Sequence, residues 1–499
     1  MSAATHTHEE WKAIATRLEP RRRAFIDGEF ADAASGETFD RVNPATGQVV
    51  TEVAAGDSED VDRAVGAARR AFAAGEWSRA EPAERKRVLL RLAELIREHG
   101  EELALLDSLD MGKPAEDALG IDVPGAAGIF QWYAEAADKL YDEIAPTGAD
   151  DLALVTREPL GVIGAVVPWN FPLDLATWKL APALVAGNSV VLKPAEQSPH
   201  SVLRLAELGA EAGLPAGVLN VIPGFGETAG RALGLHPDVD CVAFTGSTEV
   251  GKMFQRYASE SNAKPVWLEC GGKSPNLVFA DAEDLDRAAD MAAFGIFFNQ
   301  GEVCSANSRL LVERSIRDEF VERLLERARA VRVGDPLDPE TTMGPLVDEQ
   351  HAERVLAYIE AARDGGTVRH GGGRVAVNGH DRCFVEPTVL EGLPNDHRVA
   401  QEEVFGPVLA VLDFEQEDEA LEVANATRYG LAASIWTSNL ARAHRLARRL
   451  RVGTVSVNTV DALGPQTPFG GFKESGFGRD LSLHAIDKYT GLKTTWIKL

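Results

Sequence analysis

Between residues 161 and 269 five short apolar runs alternate with stretches of helical periodicity: GVIGAVV (161–167), NSVVLKP (188–194), GVLNVI (217–222), DCVAFTG (240–246) and PVWLE (265–269). The runs are rich in β-branched residues, too short for buried helices, and spaced by helix-length segments near 170–187, 199–213, 227–235 and from 247. Parallel strands need long crossovers, which helices supply, so this alternation predicts a doubly wound parallel sheet. Such sheets bind ligands beyond the carboxyl ends of their strands. The fold class is therefore α/β, and function is to be sought in the residues that follow the runs.

The 499 residues are enough for two or three domains. Residues 1–55 read as loosely extended, with turn signals in IDGEF and NPATGQ. Helices are expected after Ser58, a candidate N-cap, and after Pro82, which suits a first helical turn. Residues 103–143 also read as helical. After 270 a second α/β region begins, with strands that include 276–280, 309–313, 367–372, 406–414 and 453–458. The Gly-rich 364–382 stretch reads as a surface hairpin or loop. KTTWIKL (493–499) reads as a strand in need of a sheet edge, for which another subunit is a candidate.

Charge narrows the partners. Lys plus Arg total 51 and Asp plus Glu 77, a formal net charge of −26. Such a chain repels phosphate backbones and anionic lipid, so neither nucleic acid nor a membrane is expected as a partner. The four cysteines, Cys241, Cys270, Cys304 and Cys383, form no CxxC pair, so no metal site is expected. Their sparseness fits a reducing compartment. MSAATHTHEEWKAIATRLEPRRR has no apolar core of a leader, and the longest apolar run, Leu160 to Pro168, is too short to span a bilayer. The expected location is cytoplasmic.

The residues that carry chemistry lie after the strands. Cys304, in FFNQGEVCSANSR, follows a helical stretch and a Gly break, near the start of a segment whose N–H groups are expected to lower its thiol pKa. A lone cysteine is more often a small buried hydrophobe. Glu269 ends a strand before Gly271-Gly272, a placement that suits a general base, or equally a cap or ion pair. Asn170, in PWNFP, offers an amide N–H to a developing oxyanion, or is simply a turn residue. Gly246, Ser247 and Thr248 form a strand–turn–helix entry where N–H groups favour pyrophosphate, although such turns are common. Lys193 and Glu196 end the second strand; an acid there binds ribose hydroxyls and repels a ribose phosphate, favouring NAD over NADP. Each signal is modest alone. Asn170, Glu196, Ser247 and Glu269 fall on one side of one expected sheet.

Together, PWNFPL, LKPAEQSP, FTGSTEVGK, LECGGKSPN, FNQGEVCSANSR, EEVFGPV and PFGGFKESGFGRD resemble the aldehyde dehydrogenase superfamily, in the family's order, from about residue 25 onward. The resemblance implies that Cys304 attacks an aldehyde, Asn170 and the Cys304 N–H hold the oxyanion, Glu269 activates water against the thioester, and Lys179 stands behind the site as a proton relay. It implies NAD bound by Lys193 and Glu196 at a ribose, by Gly226, Phe244, Gly246, Ser247 and Val250 at the adenine and pyrophosphate, and by Cys270, Glu403 and Phe405 toward the nicotinamide, with Val166, Pro168, Trp169 and Thr245 also binding the cofactor. The family fold implies a Rossmann-like cofactor domain (20–140 and 159–269), a catalytic domain (270–478) and a small bridging oligomerisation sheet (141–158 and 485–499), with a homodimer or homotetramer expected. Glu269 argues against a CoA-acylating member, the absence of a His in the Cys304 motifs against a thiol hydrolase, and the intact Cys304, Glu269 and Asn170 against a non-catalytic protein.

By the same resemblance the substrate tunnel is lined by Phe171, Asp174, Leu175, Trp178, Phe298, Val303, Ser305, Asp461, Leu463 and Phe469. Most are apolar, which suits an alkyl or aryl chain. Asp174 departs from the family's apolar pattern and suits a cationic tail, or else points to solvent at the mouth. MGKP, ADKLYDEIAPT, SNAKPVWLECGGKSPN and GRDLSLHAIDKYTGLKTTWIKL are similar to bacterial γ-glutamyl-γ-aminobutyraldehyde and guanidinobutyraldehyde dehydrogenases. That likeness implies an ω-amino- or guanidino-aldehyde of polyamine catabolism. NTVDALGPQTPFGG is closer to general aliphatic and retinal-type members and keeps a broad-specificity aliphatic or aromatic alternative open.

Overall fold

A computed structural model describes residues 6–499. The first five residues, part of the stretch read above as lacking a leader's apolar core, lie outside the described residues. The five runs form β1 (Val162–Val166), β2 (Ser189–Lys193), β3 (Leu219–Val221), β4 (Cys241–Gly246) and β5 (Val266–Cys270). All pair in parallel, in the order β5-β4-β1-β2-β3. The chain winds outward from β1 through β2 to β3, then returns to lay β4 on the other side of β1. The winding reverses between β1 and β4, and a crevice opens at such a reversal. Val166 lies in register with Lys193 and with Phe244, and Thr245 with Glu269. The residues that follow the strands therefore collect on one edge, where α1 (Pro172–Val185) and α2 (Thr248–Glu260) also begin.

The strands are buried along almost their whole length, as their unbroken apolar sequence requires. Each buried Val or Leu stabilises the fold by roughly 1.5–3 kcal/mol relative to its exposed state. The sheet is wider than the five runs. Ala24–Ile26 and Glu29–Ala31 extend it antiparallel beyond β3, and Gly476–Phe477 covers the outer edge of β5. These additions are two or three residues long, too short for periodicity to register.

The second sheet holds seven strands, two more than were read: 388–391 and 432–436 join the expected five. The 364–382 stretch carries the edge strand Thr367–His370 and then a bridged loop. Thr490–Lys498 finds its edge within its own chain. It runs antiparallel to Asp151–Pro159, from Thr490 opposite Pro159 to Lys498 opposite Asp151, and Glu143–Ala145 completes a three-stranded sheet. Leu492 and Trp496 remain exposed on it.

The N-terminal region is less extended than expected. His8–Thr16 is a helix with a Thr7/Glu10 capping box, and Trp11 is fully buried. The cap of the helix Ser58–Ala74 is Asp57, which precedes Ser58. The stretch read as helical over 103–143 is broken at Gly112, left-handed with φ 86°, and its last helix ends at Ala136. Among the described residues no helix is long and apolar enough to cross a membrane.

Candidate active site

Cys304 reaches the sheet edge through an unusual turn. The helix α3 (Leu285–Phe297) ends, and Asn299, Gln300 and Gly301 follow with φ of 49°, 59° and 71°. Two non-glycine residues in the left-handed region cost roughly 1–2 kcal/mol each, so the turn persists only because its surroundings hold it. Asn299 donates through Nδ2 to the carbonyls of Asn170 (3.0 Å) and Glu302 (3.2 Å). Asn170 donates through Nδ2 to the Glu302 carbonyl at 2.8 Å. The buried Glu302 carboxylate accepts from the Val347 N–H at 3.0 Å. The chain is thereby turned back toward Asn170 and the strand ends. A Cβ at Gly272 would lie 2.6 Å from the Cys304 carbonyl, so the glycine pair after β5 is what lets the cysteine loop lie against it.

The expected lowering of the Cys304 thiol does not occur. Burial, followed by the charges of Asp461, Glu269 and Glu403, pushes it well above the ordinary thiol range. The physical reason is the local structure: no helix begins at Cys304, and the one backbone N–H that favours the thiolate, that of Ser305, is outweighed by burial and the three carboxyl groups.

Glu269 lies in β5, buried, with neither oxygen hydrogen-bonded. A Cβ at Gly470 would sit 2.6 Å from its Oε1, so the C-terminal segment closes over it. Burial and then Asp480 push its carboxyl well above the usual carboxylate range, while Lys179, Lys488 and Arg479 pull it down. Lys179, fully buried in α1, donates to Asp480 rather than to Glu269.

A cavity of about 430 Å³ lies at the crevice between β1 and β4. Pro168, Trp169 and Asn170 line it from the end of β1; Thr245, Gly246 and Ser247 from β4; Cys270, Cys304, Glu403 and Phe405 from the catalytic side. Ser247 caps α2, accepting from the Val250 N–H at 3.3 Å. Lys193 donates to Glu196 at 3.0 Å. Glu403 accepts from the Gly272 N–H at 3.0 Å, and a Cβ at Gly271 would overlap its carboxylate. Val166 and Phe244 are buried in the strands beneath, Gly226 sits in the turn after β3, and Val250 is exposed on the first turn of α2. A cleft with a helix N-terminus, the Glu403 carboxyl and aromatic walls fits a dinucleotide, although Lys193 and Glu196 are not among the residues that line it.

Sequence reasoning missed part of this wall. Gln197, Asp348, Gln350, His351 and Arg354 also line the cavity. His351 donates from Nε2 to the Phe405 carbonyl at 2.7 Å and meets the Trp169 ring edge-on at 5.3 Å. Burial lowers its pKa, so the ring is neutral near pH 7. Gln197 lies in LKPAEQSP, directly after Glu196; no motif marks the other four, which sit at the start of the helix Glu349–Ala362, in the region of the other sheet.

Of the expected tunnel residues, the aromatic ones come together. Phe171 lies 6.3 Å from Phe298, Trp178 lies 5.4 Å from Phe469, and Leu175 and Phe171 pack in the same cluster as Cys304. Ser305 is buried and bonds to Asp461, itself in the left-handed region at φ 46°. Val303 is half-buried, and Leu463 is largely exposed. Asp174 does not point to open solvent. Its Oδ1 is buried without a hydrogen-bond partner, against Gly125, where a Cβ would be 3.0 Å away. Burial and then Asp122 push Asp174 up to about 7, against the pull of Lys113. Lys113 pairs with Asp122 and lies 3.7 Å from the centre of the Phe171 ring.

The model of the aldehyde dehydrogenase family matches residues 30–495. Aminoacetaldehyde dehydrogenase of Pseudomonas aeruginosa is 52% identical over 493 residues, 98% of each chain. NADP/NAD-dependent aldehyde dehydrogenase PuuC of Escherichia coli is 51% identical over 489 residues, again 98% of each. The solved structure of P. syringae AldA indole-3-acetaldehyde dehydrogenase, in complex with NAD+ and IAA, superposes with a TM-score of 0.98 at 56% identity, over 99% of this chain and 100% of that one.

Proposed function

The chain belongs to the aldehyde dehydrogenase family and is an NAD-dependent oxidoreductase of aldehydes; we propose that it converts an ω-amino- or guanidino-aldehyde to the acid through a thioester on Cys304. The observation that carries the mechanism is Glu269, a buried carboxyl with both oxygens free, set where Cys304 is drawn across Gly272. In this reading the Cys304 sulfur gives its proton to solvent water and bonds to the aldehyde carbon. Negative charge develops on the former carbonyl oxygen, and the second N–H of Asn170 Nδ2 and the Cys304 N–H meet it. NAD, when bound, supplies the hydride acceptor. Glu269 then takes a proton from water, the water oxygen bonds to the thioester carbon, and the C–S bond breaks to return the sulfur to Cys304. Lys179 holds the proton network behind Glu269. Lys193 and Glu196 hold one ribose of NAD; Gly226, Phe244, Thr245, Gly246, Ser247 and Val250 hold the adenine and pyrophosphate; and Val166, Pro168, Trp169, Cys270, Glu403 and Phe405 hold the nicotinamide side. His351 joins this last group.

Asn170 contributes about 3 kcal/mol to the oxyanion. Asn170→Ala is expected to lower kcat for hydride formation by roughly 10²–10³-fold with NAD affinity retained, as read by stopped-flow NADH absorbance and a separate binding titration. Equal loss of binding and turnover would place Asn170 in the turn alone.

The substrate class rests on Asp174. A carboxyl near neutrality, with Oδ1 buried and unbonded and a single side-chain partner in Trp178, ionises when a cation arrives, because the pair replaces the lost hydration. That P. aeruginosa relative is named for an amino-aldehyde, which supports the same reading. A charge-assisted bond of roughly 1.5–3 kcal/mol predicts that Asp174→Asn raises KM about tenfold or more for amino- and guanidino-aldehydes and leaves alkyl aldehydes alone. An unchanged preference in such a panel removes the amine reading. A second reading, a broad aliphatic or aromatic specificity, is favoured by Phe171, Trp178, Phe298 and Phe469 and by the indole-3-acetaldehyde enzyme among the solved structures. Val303, Ser305, Asp461 and Leu463 complete the tunnel in either case.

The proposed division assigns 20–140 and 159–269 to NAD binding, 270–478 to catalysis, and 141–158 with 485–499 to oligomerisation. Exposed Leu492 and Trp496 on the three-stranded sheet support a homodimer or homotetramer, and the sparse, free cysteines support a cytoplasmic location.

A further inference from the structure

The reading of Glu269 as the base leaves one buried ion unexplained. Asp480 is fully buried and accepts from two lysines, Lys179 of α1 and Lys488 of the turn Leu483–Lys488. Lys488 is 4% exposed, and its carbonyl accepts from the Trp267 indole N–H at 3.2 Å, two residues before Glu269 on β5. An ammonium is removed from water at a cost of several kcal/mol unless its charge is answered. One carboxylate cannot answer two ammonium groups. Lys179, Lys488 and Asp480 sum to one positive charge, and ionised Glu269 brings the buried group to zero. Without Lys488, Lys179 and Asp480 already cancel, and an ionised Glu269 would be a lone buried anion.

We propose that Lys488 is a positioning residue for the water-activating step: sharing Asp480 with Lys179, it leaves one buried positive charge that keeps Glu269 able to shed its proton. The inference rests on Glu269 being the base. The other groups that face Glu269 are Arg479, beside Asp480, Cys304 from its loop and Cys270 on its own strand. Arg479 is only partly buried and donates to the carbonyls of Gly471 and Gly478, so it does not substitute for Lys488. Burial opposes the charge of Asp480, yet the two lysines outweigh it and hold that carboxyl below its ordinary range.

The test measures acid release from preformed acyl-enzyme as a function of pH, with propanal and NAD, in the full-length protein. Lys488→Met is expected to move the midpoint of this limb upward by about one pH unit, while the size of the NADH burst stays that of the unmodified protein. Lys488→Arg, which keeps the charge, is expected to restore the original midpoint. Asp480→Asn leaves two lysines unopposed and is expected to move the midpoint down. A Lys488→Met protein that is merely slower at an unmoved midpoint overturns the proposal, as does an Arg variant that shifts like Met. Should the Met variant not fold, the Asp480→Asn shift decides: downward supports the charge count, and upward or absent overturns it. Glu269→Gln separates the two readings. If it releases acid at the original rate, the base assignment itself falls; if it stalls while the Lys488 and Asp480 midpoints stay fixed, only the present inference does.

Discussion

Cys304→Ser is expected to abolish aldehyde-dependent NADH formation, with kcat lower by on the order of 10⁴-fold. The surroundings already disfavour charge on the sulfur: burial and the carboxyl groups of Asp461, Glu269 and Glu403 push the thiol up. A hydroxyl is a far weaker acid than a thiol, so the same surroundings leave serine with essentially no alkoxide. No imidazole stands near to take its proton, since the histidine on the cavity wall, His351, is committed to the Phe405 carbonyl. The size change is one atom, so NAD affinity and thermal stability are expected to hold. The measurement is NADH absorbance with NAD, aldehyde and no CoA, beside a binding titration. Persistent turnover in the serine protein would remove the covalent mechanism. Because the free thiol is pushed up, acylation in the unmodified protein is expected to accelerate with rising pH, the thiolate being the reactive form.

Glu269→Gln is expected to separate the two halves of the reaction. General base catalysis contributes roughly 10²–10⁴-fold, and steady-state kcat should fall by that factor. One NADH per active site should still form in the first turnover, because the hydride leaves before water is needed. The carboxyl is active as the anion and its pKa is raised, so the acid side of the deacylation profile should fall off at a higher pH than an ordinary carboxylate would give. In the Gln protein that limb should vanish. Stopped-flow absorbance followed by acid quench, to catch the protein-bound thioester, reads all three. Equal loss of the first turnover would mean that Glu269 also serves the thiol.

The sequence made the cofactor sheet legible because β1 to β5 are buried on both faces and so are unbroken apolar runs. It did not show the edges. Ala24–Ile26 and Gly476–Phe477 are short, and their pairing is fixed by partners hundreds of residues away. The helix His8–Thr16 carries a Thr7/Glu10 signature that was there to be read; the polar composition around it hid the single buried anchor, Trp11. At the site, Cys304, Glu269 and Asn170 announce themselves through glycine and proline neighbours. Their electrostatics do not. The direction of the Cys304 shift depends first on burial and then on Asp461, Glu269 and Glu403, all of which only the folded chain brings about. The same holds for Asp480, whose partner Lys179 lies 301 residues earlier.

That separation has a consequence during synthesis. The strands β1 to β5 emerge early and can fold while translation continues, as amino-terminal units do. Yet Glu269 gains its lid at Gly470, its neighbour Asp480 and the second lysine only when the ribosome has delivered nearly the whole polypeptide. A nascent chain therefore carries the five-stranded sheet long before it carries the segment that encloses Glu269.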